Sequence, residues 1–408
     1  MRLTYCLSLT SFILQMRVDS ERFAEAGRLR KHSDVKPYPN PRILRFMLRH
    51  PSVTPYSSDA TITVAEKERY SRQVLFPGIG LAGQEKLRNA HAAIVGVGAT
   101  GAATAGLLAR AGVGRLTLID RDFVEHSNLQ RQILFDEADA DASLPKAEAA
   151  RCHIAAFNSG VTVLSHVLDL VPANIRDLLH AADIVLDCTD NFETRYLIND
   201  FCVEQGKPWI YAAGIGAYAA TMSILPAGAD ADWQSTACLA CLFPVPPSGT
   251  VETCDTAGIL GSAVNFVASL QTTEALKLLT GNVGQMRRTL LSYDLWSNIR
   301  SEVSAATPDP SCLVCGKREF RYLFGEGRPH ITICGRNSVQ IHEHNRPIDL
   351  TALAVRLSAL GSVRANGLLL RFERPPHTVT VFPDGRALIQ GTTDVALARS
   401  LYARFIGS

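Results

Sequence analysis

Between residues 64 and 319, short apolar runs alternate with stretches of helical length. Residues 92–95 and 115–119 read as buried strands, 161–167 alternate apolar with polar, and 183–187 and 209–213 return to apolar character. Helices are expected over about 102–111, 146–157, 174–182 and 193–205, with a short entry helix at 66–71 and an acidic loop at 135–144. Such alternation predicts a doubly wound α/β fold on a mostly parallel sheet. Strand-like residues continue to Leu225, a long helix is expected over 258–280, and 289–294 closes the sheet. Ser262, Asn265, Ser269, Gln271 and Lys277 interrupt the long helix. No run after the N-terminus reaches the roughly 18 apolar residues of a membrane span.

The flanks differ in pattern. Residues 1–63 show no sustained period, with scattered arginines and five prolines between Pro37 and Pro55. They read as a partly disordered extension or as the product of a start placed upstream. The apolar stretch 5–16 faintly suggests a signal peptide but lacks a small-residue cleavage site. Residues 320–408 read as a small α+β domain: strands near 330–333, 339–341 and 368–372, and a helix over 349–360 with Leu350, Leu353, Leu357 and Leu360. A hairpin follows around Pro383-Asp384-Gly385-Arg386, then a last helix capped by Asp394 with Leu397, Leu401, Tyr402 and Phe405 on one face.

At 408 residues and 47% apolar, the chain can bury two cores. Its net charge of +2 divides into basic ends and an acidic middle, which argues against a nucleic-acid scaffold and suits a protein partner. Ten cysteines, four of them in two C-x-x-C pairs, fit reduced thiols and a cytoplasmic protein rather than a disulfide framework.

The candidate chemistry begins where the first strand ends. Gly96-x-Gly98-x-x-Gly101 followed by a small-residue helix is the Rossmann-like phosphate turn, whose helix N-terminus offers free N–H groups to an anion. Asp120 ends the next strand, where a carboxylate would take ribose hydroxyls. A nicotinamide dehydrogenase would use these features too, but it leaves the polar cluster Asp122, Ser127, Asn128, Gln130 and Arg131 unexplained. Lys146 follows Pro145 at a helix head, suited to phosphate unless it is a surface lysine. Asp190 and Asn191 follow the strand at 183–187, on the ligand edge of such a sheet. Asp190 is a candidate metal contact, or else a cap of the next helix. Cys238-x-x-Cys241 and Cys312-x-x-Cys315 read as one structural zinc held by four thiolates, against unrelated thiols or a redox pair. Cys254 lies in a proline-rich loop just before the long helix, where a thiol tends toward a lowered pKa, or is simply packed.

Two motifs narrow the choice: Arg69-Tyr-x-Arg72-Gln73, and D-x-D-x-V-x-x-S-N-L-x-R-Q from Asp120 to Gln132. Over about 64–316 the chain closely resembles the ThiF/MoeB/HesA family of ubiquitin-activating-enzyme-like adenylyltransferases. The resemblance implies that ATP, with Mg²⁺, adenylates the C-terminal glycine carboxylate of a ubiquitin-like sulfur carrier ending in Gly-Gly. It implies a homodimer in which Arg72 reaches the partner's nucleotide site. Arg131 and Lys146 would neutralise polyphosphate, Asp190 would hold the metal, and Asn128 would orient phosphate or metal-bound water. Cys254 matches a family cysteine of sulfur handling, and zinc held by two cysteine knuckles recurs among bacterial members. Some larger relatives are fused to a rhodanese, whereas here Cys334 is the only cysteine in 320–408 and ends a strand, so a separate sulfur donor is expected. Alternatives are an enzyme adenylating a non-protein carboxylate or a tRNA base, and a non-catalytic carrier-binding module.

Overall fold

The computed structural model describes residues 64–228, 232–245, 258–325, 331–334, 338–341, 347–365 and 369–407. The expectations placed on Cys254 and on 1–63 lie outside the described residues. Strands β1 (His91–Val95), β2 (Arg115–Ile119), β3 (Thr162–His166), β4 (Ile184–Asp187) and β5 (Trp209–Ile215) are followed by β6 (Tyr218–Ile224), β7 (Thr289–Asp294) and β8 (Ile299–Ser304). They form one sheet in the order β3-β2-β1-β4-β5-β6-β7-β8, parallel through β5 and antiparallel beyond it. The strand order reverses between β1 and β4, which puts the ligand crevice at their C-terminal ends.

Period-two alternation divides the sheet residues between two cores. Ala92, Ile94, Leu116, Leu118, Ile184 and Leu186 face one side, under helices α1 (Ala99–Ala111), α2 (Lys146–Phe157) and part of the later long helix. Ala93, Val95, Ile119, Val185 and Trp209 face the other, under α3 (Phe192–Glu204) and the cysteine segments. The long helix is α4 (Gly261–Leu279). No helix among the described residues is long and apolar enough to cross a membrane.

The second sheet is antiparallel. β9 (Ile331–Cys334), β10 (Ser338–Ile341), β11 (Ser362–Ala365), β12 (Leu370–Arg374), β13 (His377–Val381) and β14 (Ala387–Gln390) pair in the order β11-β12-β13-β14-β10-β9. Helices α5 (Leu350–Ser358) and α6 (Val395–Phe405) share its core. Asp349 and Asp394 cap them by accepting backbone N–H groups of the first turn. Both sheets lie in one compact unit.

Four expectations change. β7 does not close the first sheet, because β8 pairs beyond it. β11 is an additional strand. The acidic loop contains a short helix, Glu137–Asp141, held by a reciprocal cap between Asp136 and Asp139. On α6, Tyr402 and Phe405 fill the core as expected, but Leu397 is 39% exposed and Ala398 is buried beside them.

Candidate nucleotide and metal sites

The glycine turn is fixed by close packing. Gly96 has φ +84°, and a Cβ there would lie 2.7 Å from the Cys188 carbonyl oxygen; one on Gly101 would lie 1.8 Å from the Gly96 carbonyl oxygen. Larger residues would separate β1, α1 and the end of β4. Gly98 is the N-cap of α1, and no side chain caps the helix, so its first N–H groups point to the crevice.

Asp120 ties this turn to β2. Its Oδ2 accepts Val97 N–H (2.6 Å) and its Oδ1 accepts Asp122 N–H (2.7 Å). Burial pushes its carboxyl up to about 6 against the opposing pull of Lys146. Each oxygen keeps a lone pair for a further donor. Lys146 is 4% exposed, which excludes the surface reading. Its Nζ donates to Asp122 Oδ2 (3.0 Å), and its backbone N–H donates to the Asp122 carbonyl (2.8 Å). Gly96, Gly98, Gly101, Asp120, Asp122 and Lys146 thus form one connected group.

The other expected residues are placed less directly. Arg131, partly buried, donates from Nη1 to the Ser127 carbonyl (2.8 Å). Asn128 is fully buried, and its Oδ1 accepts Glu125 N–H (3.1 Å) in a reciprocal cap of the turn His126–Asn128. That cap occupies the oxygen, and only Nδ2 lacks a partner among the described residues. Asn191 is the N-cap of α3, accepting Thr194 N–H (2.8 Å). Asp190 therefore is not the cap; it is exposed one residue beyond Thr189, which abuts Gly96. Arg72 is exposed on the short helix Ser71–Val74.

A buried brace beneath the crevice was not anticipated. Asp187, the last residue of β4, accepts Thr189 N–H (3.0 Å) and Oγ1–H (2.7 Å), and Arg195 Nε lies 3.2 Å from its Oδ2. Arg195 also donates to the carbonyls of Thr189 and Ala212. Gln271 of α4 donates to the Asp187 and Ile210 carbonyls (2.9 Å each) and accepts from Thr104 (3.1 Å). The available signal was a carboxylate at a ligand-edge strand end followed by an arginine within the next helix.

The four knuckle cysteines converge. Cys238 and Cys241 sulfurs lie 3.8 Å apart, Cys238 and Cys312 3.7 Å, and Cys241 and Cys315 3.3 Å, with all four within 4.8 Å of one another. A tetrahedral Zn²⁺ with Zn–S of about 2.3 Å sets the sulfurs about 3.8 Å apart, so the cluster fits the metal. Asn199 supports it from α3, accepting Leu239 N–H (2.9 Å), and Asp309 N–H points at Cys241 sulfur (3.4 Å). Asp136, Asp139 and His153 also cluster, but their atoms serve the helix cap and the 2.6 Å His153–Asp139 contact.

The chain is 46% identical over 343 residues to the "Sulfur carrier protein ThiS adenylyltransferase" of Bacillus subtilis, covering 83% of this chain and 99% of that protein. It is 40% identical over 249 residues to the "Probable adenylyltransferase/sulfurtransferase MoeZ" of Mycobacterium tuberculosis, covering 60% of each. Among solved structures, E. coli MccB with ATP superposes with a TM-score of 0.54 at 23% identity, over 63% of this chain and 76% of that one, a likeness of fold alone. The ThiF family model matches residues 70–314, and the chain belongs to the ThiF family.

Proposed function

We propose that this protein is an ATP-dependent adenylyltransferase that activates the C-terminal glycine carboxylate of a ubiquitin-like sulfur carrier. The observation that carries the reading is the buried Lys146 paired with Asp122 and joined through Asp120 to the glycine turn. The extent of the match to the Bacillus subtilis relative supports a ThiS-type carrier. The carboxylate attacks the α-phosphorus of ATP, forming an acyl phosphate bond and expelling pyrophosphate. Both reactants are anionic, so the barrier is mainly repulsion and orientation. Backbone N–H groups at the head of α1 would receive phosphate oxygens, Lys146 and Arg131 would offset their charge, and Asp120 would hold the ribose. The carboxylate is already ionised at neutral pH and needs no general base. Mg²⁺, held by Asp190, would supply charge neutralisation across the polyphosphate.

The four cysteines would hold a structural zinc, since four thiolates leave no open position for water or substrate. Arg72, exposed on its own chain, would complete the site of a second copy in a homodimer. Sulfur would come from a separate donor, in a cytoplasmic setting that keeps the thiols reduced. That the ThiF family model ends at residue 314 supports a division into an enzyme body at 64–319 and a C-terminal module at 320–408.

The test is exchange of labelled pyrophosphate into ATP with a panel of carriers ending in Gly-Gly. Exchange should depend on carrier and be strongest with a ThiS-type protein. Lys146→Ala should lose at least about 2 kcal/mol of transition-state stabilisation, as for removal of one preorganised charge donor. No exchange with any carrier, or a near-wild-type rate in Lys146→Ala, would overturn the assignment.

A further inference from the structure

The second sheet meets the first at the edge where the nucleotide reading places the ribose and phosphates. Arg386, in the β13–β14 hairpin, is only 1% exposed. Its Nε donates to Asp384 (2.6 Å), its Nη1 donates to Asp169 Oδ2 (2.8 Å), and its guanidinium lies 4.5 Å over the Phe382 ring. Asp169 lies just past the C-terminal end of β3, and its other oxygen accepts Arg121 Nη1–H (2.9 Å). Arg121 follows Asp120 directly, with Nε 3.8 Å from Asp122 Oδ1, and Asp122 holds Lys146. Five charged side chains of alternating sign therefore run from the C-terminal hairpin to Lys146. Beside them Phe123 is buried with Leu369 and Phe382 against Val167.

We propose that the C-terminal module sets the geometry of the nucleotide site, with Arg386 as a positioning residue acting through Asp169 and Arg121 on Asp122 and Lys146; this rests on the nucleotide reading above. Apolar packing of Phe123 with Leu369 and Phe382 also joins the module to the body. Burying a guanidinium is costly and worthwhile only when its partners are fixed in return. Here the partners are fixed: Asp169 accepts from Arg386 and Arg121 at once, and Arg121 in turn lies beside Asp122. With Arg386 removed, Arg121 can make a second contact to Asp169 and leave Asp122, so the Asp122 carboxylate loses one of the contacts that orient it toward Lys146. The lesion is geometric and falls on ATP rather than on the carrier.

The experiment uses full-length protein and carrier-dependent pyrophosphate exchange. Arg386→Met should raise KM for ATP about tenfold, the coupling expected within one ion-pair network, with carrier KM within about twofold of wild type. Arg386→Lys, which keeps one contact to Asp169, should recover most of the ATP dependence. Asp169→Asn cuts the same contact with little change of shape; it should reproduce the ATP-selective loss, and the double variant should be little worse than either single one. Unchanged KM for ATP in both Arg386→Met and Asp169→Asn overturns the inference. So does parallel loss toward ATP and carrier, with lowered melting, that Arg386→Lys does not rescue. Lys146→Ala run alongside separates the two readings. If it abolishes exchange while the Arg386 and Asp169 variants behave as wild type, only the positioning role falls; if its ATP dependence is unaltered, the nucleotide reading falls and this inference with it.

Discussion

Lys146 sits in a nearly closed environment, where Asp122 meets its Nζ and, through the main chain, its own N–H. Its place at a helix head after proline was legible in the sequence; its burial was not, since an isolated lysine reads the same on either face. The brace of Asp187, Arg195 and Gln271 was illegible for a related reason. Gln271 breaks the apolar run of α4 and so reads as an interruption, yet it is fully buried and joins the main chains of β4 and β5. Asp120 gives the clearest dependence on pH. Burial raises its carboxyl from 3.8 to about 6, so its own contribution to stability is present below pH about 4 and is lost as pH rises through about 6. Ligand binding runs the other way, because the protonated carboxyl has less acceptor capacity for ribose and for Val97 N–H together. KM for ATP should therefore rise as pH falls from 7 to 5, with no loss of folding caused by Asp120 itself. A KM for ATP that is flat across that range, followed beside thermal melting, would remove Asp120 from the nucleotide site.

Strands β1, β2, β4 and β5 were legible because each reads as a short, largely buried apolar run between helices, whereas the half-buried edge strand β3 was legible from its alternation. β8 escaped for the converse reason: Ile299–Ser304 is exposed along its whole length, so no buried face marks it. β11 is likewise mostly exposed. The helix Glu137–Asp141 depends on a reciprocal side-chain cap, which composition alone presents as an acidic loop. The cysteine knuckles were legible from spacing, although their meeting joins segments over seventy residues apart. With zinc bound there, a chelator should lower the melting temperature before it alters ATP affinity in the protein still folded. X-ray absorption should show four sulfur ligands at about 2.3 Å. Nitrogen or oxygen in the first shell, or melting indifferent to metal removal, would assign these cysteines another role.

For the whole molecule, the sequence separates a body from a C-terminal module but does not reveal their contact, because Arg386 and Asp169 are 217 residues apart, Arg386 reads only as part of a hairpin turn and Asp169 belongs to no motif. Arg72 poses the complementary question. Exposed on its own chain, it should act on a second copy. Mixing Arg72→Ala with Lys146→Ala chains should restore exchange at one composite site per heterodimer, about half the wild-type rate per heterodimer and, with random pairing, about a quarter for the mixture. Mixtures as inactive as either parent, with subunit exchange demonstrated by mass, would place Arg72 elsewhere.

The joining of Cys238 and Cys241 to Cys312 and Cys315 also bears on the unfolded chain. A metal retained by these thiolates would act as a reversible cross-link, forcing the intervening segment into a ring and reducing the disorder gained on denaturation. The constraint depends only logarithmically on ring size, and doubling the loop would change its closure entropy by only about 0.6 kcal/mol. Lengthening the loop between β7 and β8 should then be thermodynamically inexpensive while the ring stays closed, and the same insertion without metal would lack that restraint.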